Sequence, residues 1–509
     1  MTDLILINPG GRQTIYQDLG DEFTAIEPPL WCRLIAGYCS DRQHSTDILD
    51  AEALGMGPNA VAAEIARRKP TLVGMVVYGH QPSASTQQMV SAGEICRAIK
   101  AGAPDQKIII LGGHVAALPI RTMREETVDY ACNSEGPVTV HELLLCLVSC
   151  GPLNTVPGLV WRDGIDIKVN PAPPLVDLSQ LHGNTWARLP MKKYRAHNWQ
   201  CFDDLTTRQP YASIYTSLGC PFKCSFCCIN APFGEARYRM RGPLAVIAEV
   251  DQLYRDYGVT TFKIVDEMFV LNPKHYLVIC EGLAALPYAH ELNFWAYARI
   301  DTVKAGHLPL LRQAGIRWLA LGIESGSEHV RDGASKSFGA KDITDVVRAI
   351  QAAGISVIGN FIYGLPDDTL GSMRATLDLA KALKCEFTNH YSAMCYPGSR
   401  LYDETPEADR PKSWAAYSQH SYETQPLPTA TLTAAEVLAF RDRAFLECFT
   451  DPDYLAMVEA KFGKGALAEI ERMTAYRLPR KLLAARRLVA QAGVGWQGAH
   501  HGTQRNLTA

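Results

Sequence analysis

The sequence predicts an α/β chain in three parts: an N-terminal doubly wound sheet, a central partial (β/α)6 barrel, and a C-terminal helical cap. Three observations lead there. Over residues 1 to about 150, short apolar runs alternate with longer amphipathic stretches, the pattern of βαβ units around a parallel sheet. The alternation resumes at Tyr211 with a regular beat. Beyond Tyr402 the apolar spacing turns helical. A chain of 509 residues is too long for one ordinary core.

In the N-terminal third the expected strands are Leu4–Ile7, Ser45–Leu49, Thr71–Val77, Lys107–Leu111 and Val128–Cys132. Helices fit between them at Pro58–Arg68, Ser85–Ala101 and Val138–Val148. This is the layout of a flavodoxin-like or Rossmann-like domain, whose ligand lies beyond the carboxyl ends of the strands. Those ends carry Asn8 to Gly11, Asp47 to Asp50, Tyr78 to Ser85 (with His80, Gln81 and Ser83), Gly112-Gly113-His114 and Ser134-Glu135-Gly136. Glycines admit a large planar ligand to the backbone, and the polar side chains can bond its rim. No G-x-G-x-x-G follows the first strand, which disfavours a dinucleotide.

Residues 151–210 are richer in proline and turns and read as a linker. They hold an expected hairpin, Gly158–Trp161 with Ile165–Val169, around Arg162-Asp163-Gly164. The basic residues Lys192, Lys193 and Arg195 read as a solvated face.

The barrel strands are expected at Ala212–Leu218, Thr261–Val265, Asn293–Ala298, Trp318–Gly322, Val357–Ile362 and Glu386–Tyr391. Helices are expected at Leu244–Tyr257, Pro273–Ala285, His307–Ala314, Ile343–Ala353 and Gly371–Leu383. Directly after the first strand stands Cys220-Pro-Phe-Lys-Cys224-Ser-Phe226-Cys227-Cys228. Three thiolates at C-x3-C-x2-C spacing can hold three corners of an iron–sulfur cubane and leave its fourth iron open. Chemistry in such barrels sits at the C-terminal ends of strands. The other ends offer Asp266-Glu267, an acidic pair able to meet a cation; Arg299, able to hold a carboxylate; Glu324-Ser325; Asn360; and Asn389-His390-Tyr391 with Tyr396. Cys228 leaves a closed site such as structural zinc as an alternative, although adjacent cysteines rarely share one ion.

The cap is expected to carry helices Ala434–Phe449, Pro452–Phe462, Ala466–Tyr476 and Pro479–Ala492, preceded by an aromatic, proline-rich stretch from Trp414 to Pro428. Such a cap can shield a reactive intermediate from water. The last residues, Gly493 to Ala509, are Gly-rich and polar and are expected to be mobile. Fifty basic against 53 acidic residues, net −3, argue against a general nucleic-acid binder. No basic, apolar leader opens the chain and no apolar run reaches spanning length, so a cytoplasmic protein without a membrane span is expected. The eleven thiols outside the loop, among 15 cysteines in all, read as small buried hydrophobes of a reducing compartment.

The cysteine loop, its aromatic Phe226 and the six-unit barrel resemble the radical S-adenosylmethionine (radical SAM) superfamily. With Gly112-Gly113-His114 and Ser134-Glu135-Gly136 upstream, the chain resembles its cobalamin-dependent branch. The resemblance divides the chain into a cobalamin-binding domain (1–150), a linker (151–210), a radical SAM barrel (211–403) and a helical domain (404–509). It implies a 4Fe-4S cluster on Cys220, Cys224 and Cys227, and SAM near Phe226, Asp266, Glu267, Arg299, Glu324, Ser325 and Asn360. Cobalamin is implied near Asn8, Tyr78, Gln81, Ser83, Gly112, Gly113, His114, Glu135 and Gly136. The D-x-H-x-x-G signature is absent, so no histidine is expected on the lower face of the cobalt. The implied activity is an oxygen-sensitive methyltransferase that moves a methyl group from SAM, by way of methylcobalamin, to an unactivated carbon of a small-molecule or natural-product substrate. Abstraction of a hydrogen by a 5′-deoxyadenosyl radical precedes that transfer, and flavodoxin or ferredoxin supplies the electron. A cyclase or rearrangement enzyme similar to the anaerobic oxidative cyclase is the alternative. A non-catalytic corrinoid- or metal-binding protein is more remote, because bound metal alone would not need acidic and arginine residues at successive strand ends.

Overall fold

A computed structural model describes residues 2–79, 81, 83–336 and 338–484. Strands β1 (Leu4–Asn8), β2 (Thr46–Asp50), β3 (Leu72–Val76), β4 (Ile108–Leu111) and β5 (Tyr130–Cys132) form the expected parallel sheet in the order β2-β1-β3-β4-β5. Every residue of β3 and β4 is buried, as expected for strands covered by helices on both faces. Gly74 is required inside this sheet, since a Cβ there would lie 2.6 Å from Leu6 Cδ2.

The hairpin occurs as β6 (Leu159–Asp163) and β7 (Asp166–Val169), and it does more than link. β6 pairs antiparallel with β5, which extends the first sheet to seven strands. Of the three basic linker residues, Lys192 and Lys193 are exposed. Arg195 instead donates to the carbonyls of Gly20 (3.3 Å), Asp21 (2.5 Å) and Thr24 (3.2 Å), clamping the segment that follows β1.

The barrel comprises β8 (Tyr211–Ile214), β11 (Thr261–Ile264), β12 (Asn293–Ala298), β13 (Ile316–Glu324), β14 (Ser356–Tyr363) and β15 (Phe387–Ser392), all parallel and in sequence order. A two-stranded ribbon, β9 (Ser217–Leu218) with β10 (Arg239–Met240), brackets the cysteine loop. The cap helices Ala434–Phe449 and Pro452–Phe462 match expectation, and the next runs Lys464–Ala475. The fourth expected helix lies largely outside the described residues, as do Gly493 to Ala509 and His80. No helix among the described residues is long and apolar enough to cross a membrane.

One buried hub joins the first sheet domain to the barrel. Arg33, on helix Leu30–Ser40, donates to Glu249 Oε1 (2.5 Å), to Ser213 O (3.1 Å) and to Gly183 O (3.1 Å). The same carboxylate accepts from Trp186 Nε1 (2.9 Å) and from Arg241. Two guanidinium groups on one buried carboxylate fix how the domains meet, because breaking any arm leaves a charge unpaired away from water.

Candidate active site

The cysteine loop starts from a fixed point. Asp266, at the end of β11, accepts from Thr216 N (2.6 Å), Ser217 Oγ (2.6 Å) and Thr216 Oγ1. Gly219 follows with φ +83°, where a Cβ would stand 2.2 Å from Arg237 O; only glycine passes there. Asn230 Nδ2 then holds Cys220 O (3.2 Å), and Ser225 is tied to Ala334 and Leu401 by main-chain bonds. Cys220 is buried, Cys224 half-buried, and Cys227 opens onto a cavity. Burial pushes the Cys220 thiol up to about 11 and raises Cys227 as well, with Cys228 second. These thiols therefore need positive charge beside them to ionise, as metal ligation supplies. Arg299 stands ready for that role. Its Nη1 donates to Cys224 Sγ at 3.7 Å while the guanidinium lies 3.9 Å over the Phe222 ring.

Among the described residues, no three His, Cys, Asp or Glu side chains converge as ligands of a single metal ion would. A cluster takes one thiolate per iron, so its ligands need not converge. Cys228 is buried and lines the boundary of two cavities.

The barrel brings most of the expected strand-end residues to one space of about 1280 Å³. Phe226, Cys227, Glu267, Arg299, Glu324 and Asn360 all line it, together with Asn389, His390, Tyr391 and Tyr396. Register explains the grouping: Gly322, Asn360 and Asn389 stand side by side on β13, β14 and β15. Asn389 Nδ2 donates to Asn360 Oδ1 (2.9 Å), and Asn360 Nδ2 to Leu321 O (3.1 Å). A bulge between Gly322 and Glu324 puts Glu324 at φ +66°, a left-handed conformation that costs about 1–2 kcal/mol in a non-glycine residue. The bulge re-aims its carboxylate onto Lys336. Lys336 in turn fits over Gly322, where a Cβ would lie 2.3 Å from Nζ.

Two expected residues are placed elsewhere. Asp266 is consumed by the loop anchor described above. Ser325 is fully buried; its Oγ bonds Thr376 Oγ1 (3.0 Å) and accepts from Ser327 N (3.1 Å). Arg299 also departs from expectation in its partner, since Asp301 takes it in a two-point contact (2.9 and 3.2 Å). Glu267 has no such partner, and burial pushes its carboxyl up to about 8.

The first sheet domain contributes less than expected. Gln81 and Ser83 line the large cavity, and Tyr78, Gln81 and Gly113 line a smaller one of about 70 Å³ that adjoins it through Cys228 and Glu267. Tyr78 is stacked on Trp31 at 4.2 Å and donates to Glu135 O (2.9 Å). The remaining candidates are spent on packing and pairing away from the large cavity. Asn8 donates to Asp50 (2.8 Å). Gly112 is there because a Cβ would stand 2.0 Å from Val77 O, and Gly136 (φ +106°) because one would lie 2.6 Å from Leu111 Cδ1. Glu135 is ion-paired with Arg239 (2.6 Å) and accepts from Val176 N (2.7 Å). His114 is buried, bonded to Thr86 Oγ1 (3.1 Å) and edge-on to Trp414 at 4.5 Å. Burial, then Arg121, pushes it down to about 3.

Several lining residues gave no signal in the sequence. Lys336 sits in an irregular loop without periodicity. Tyr16, Leu19 and Phe23, on the segment after β1, reach the large cavity from the sheet domain. That segment also meets the cap: Gln17 Nε2 donates to His420 O (2.6 Å), and Ser418 Oγ to Ile15 O (2.8 Å). Lys263 on β11 pairs with Glu27 at 3.0 Å between the two cavities. In a 2-1-3-4-5 sheet the switch point lies between β1 and β3, and the segments after these two strands are the ones that reach the cavity. Position in the topology, more than residue type, was the usable clue.

These residues fit the groups the sequence implies. Three loop thiols with a guanidinium against one of them suit a cluster. A volume of about 1280 Å³ exceeds the roughly 300–1000 Å³ of a single drug-sized site, so more than one ligand has room. A macrocycle has no room in the small cleft beside Tyr78. The large cavity, where Gln81, Ser83 and Gln87 of the sheet domain form part of the lining, has the volume for one.

Residues 214–380 match the Radical SAM superfamily, and residues 16–144 match the B12 binding domain. An uncharacterized methyltransferase of Pyrococcus horikoshii, PH0819, is 27% identical over 403 residues, covering 79% of this chain and 82% of the relative. The anaerobic magnesium-protoporphyrin IX monomethyl ester cyclase of Cereibacter sphaeroides is 24% identical over 432 residues, covering 83% of this chain and 67% of the relative. Among solved structures, the radical SAM methyltransferase TsrM from Kitasatospora setae, with cobalamin and a 4Fe-4S cluster bound, superposes with a TM-score of 0.66 at 17% identity, covering 93% and 99% of the two chains. The cobalamin-dependent radical enzyme OxsB gives 0.65 at 14% identity, covering 98% and 82%. Residues 214–380 thus carry a radical SAM domain and residues 16–144 a B12-binding domain, and over nearly its whole length the chain has the fold of these cobalamin-dependent radical SAM enzymes.

Proposed function

We propose that the chain is a methyltransferase that moves a methyl group from SAM, by way of cobalamin, to an unactivated carbon of a small-molecule substrate. The observation that carries this reading is the shared cavity: Cys227 and Glu324 of the barrel and Gln81 and Ser83 of the sheet domain face one space. The cluster supplies the electron that cleaves SAM, and the corrinoid carries the methyl group. The protein's own work is to hold these partners together and keep water out.

Cys220, Cys224 and Cys227 hold the cluster, and Arg299 lowers the cost of their negative charge. The Glu324–Lys336 pair offers an acceptor and a donor to the amino and carboxylate groups of SAM, with Asn360 beside it. Glu267, in no ion pair among the described residues and at the junction of both cavities, holds or releases a proton near neutral pH. Gln81 and Ser83 face the corrinoid. The division into a corrinoid domain (1–150), linker (151–210), barrel (211–403) and cap (404–509) is part of this proposal. So are oxygen sensitivity, a cytoplasmic location, a flavodoxin- or ferredoxin-type electron donor and the absence of nucleic-acid partners.

The test is anaerobic reconstitution with SAM labelled in its methyl group. Label reaching the bound corrinoid, together with 5′-deoxyadenosine on reduction, is the expected result. The similarity to the anaerobic cyclase favours a second reading, cyclisation. Formation of 5′-deoxyadenosine with no label in any product would select it.

A further inference from the structure

The end of the large cavity roofed by the cap carries more positive charge than its own carboxylates balance. Arg441, on helix Ala434–Phe449, donates through Nε to His390 O (2.7 Å) and through Nη1 to Asp442 Oδ1 (2.8 Å). Arg480 reaches the same carboxylate at two points, both 3.0 Å, and also bonds Ser421 O (3.1 Å) and Thr424 Oγ1 (2.9 Å). The side chains of Arg441 and Arg480 are 7% and 2% exposed. Two buried guanidinium groups thus share one carboxylate. Arg477, which among the described residues donates to the carbonyls of Thr474 and Tyr476, lines the same cavity. Buried charge without a counter-charge is costly, and a surplus of it facing an open cavity invites an anion.

A second observation points to the same spot. His420 lines the cavity, and its Nδ1 is buried with no hydrogen-bond partner among the described residues. Burial, then Arg441 and Arg480, pushes the imidazole far down, so it stays neutral and the arginines alone supply the charge. The walls of the chamber also carry a set of aromatic rings, Trp199, Trp295, Tyr297, Phe387, Phe445 and Tyr476.

We propose that Arg441, Arg480 and His420 form an anion-binding subsite that anchors a carboxylate or phosphate of a substrate whose body is broad and apolar. This rests on the reading of the cavity as the substrate chamber, and it excludes neutral sugars and uncharged lipids as the preferred class. Arg441 and Arg480 act as an anchor and touch no reacting atom. The anion meets them as a charge-assisted, two-point contact, while the aromatic walls take the body.

The experiment uses the reconstituted full chain with saturating SAM and three fluorescent probes: pyrene-1-butyrate, pyrene-1-butanol and pyrene-1-butyl phosphate. Anisotropy is expected to show the butyrate or the phosphate binding at least about tenfold more tightly than the alcohol, the scale of a hydrogen bond to a charged group. The tighter of the two anions identifies the group recognised. R441M is expected to abolish that preference while leaving the alcohol's affinity unchanged. Equal binding of all three by the wild-type chain overturns the proposal without reference to any variant. Failure of all three to bind overturns it too, as does a preference that vanishes when SAM is bound, since the arginines would then serve SAM. Labelled methyl reaching the corrinoid without any anion preference would sink this inference alone and leave the proposed activity standing.

Discussion

The barrel and the N-terminal sheet are both parallel α/β structures, yet they treat the residues at their strand ends differently. In the barrel, six of the expected residues, Phe226, Cys227, Glu267, Arg299, Glu324 and Asn360, face one cavity. Of the residues expected in the sheet, Gln81 and Ser83 reach that cavity, while Asn8, Gly112, His114, Glu135 and Gly136 serve packing and structural pairing. Curving a sheet into a barrel points alternate side chains of every strand at a common axis. An open sheet has no such axis, so its strand-end residues can equally turn into their own loops. Strand-end position is therefore a strong guide to function in a barrel and a weak one in an open sheet.

The largest test of this contrast is at the cysteine loop. Reconstituted wild type should hold about four irons per chain, and C224A should hold none and form no 5′-deoxyadenosine. A full iron complement in the variant would remove the barrel's claim to the chemistry. Next comes the joint between the two regions. E249Q leaves Arg33 and Arg241 in a buried hub with one weakened acceptor, and should cost about 3–5 kcal/mol in urea unfolding. A loss below about 1 kcal/mol would mean that the domains do not depend on that contact.

Asp266 and Glu267 sharpen the comparison within a single strand end. D266N should lower stability by about 2–3 kcal/mol, since an amide cannot accept all three bonds. It should affect SAM affinity only through that loss. E267Q should act through pH. The folded carboxyl titrates near 8, against 4.5 for an ordinary glutamate, so between those values the folded state holds a proton that the unfolded chain has released. Stability of cluster-free protein then falls as pH rises through this window, and E267Q should flatten the fall. Identical slopes in thermal melts of E267Q and wild type would place Glu267 in water.

The smallest effect is expected in the sheet. H114Q should leave the spectrum of bound corrinoid unchanged while costing about 1 kcal/mol for the bond to Thr86. A change in the cobalt spectrum would mean that His114 leaves its packed position to bind metal.

Much of this molecule could be read along the chain. The strands and most helices fell within a few residues of expectation, because period-2 and period-3.6 patterns are local. The cysteine loop was equally legible, as its spacing is a property of consecutive residues. Lys336 was not, because its role exists only where a bulge turns Glu324 toward a loop twelve residues on. Ser325 looked like its neighbour Glu324 in sequence, yet it faces Thr376 instead of the cavity. One residue along a strand end is enough to reverse the side a group faces.

The sequence by itself determined the order of the elements, the glycines that tight passages demand and the three thiols on one loop. Tertiary structure alone decided which charged groups were left over. Asp266, Glu135 and Glu249 were each matched by donors from distant segments. Glu267 was left with no ion pair among the described residues, and Arg441 and Arg480 were left to share one carboxylate. Pairing of buried charge depends on which segments meet in space, and no local pattern along the chain encodes that meeting.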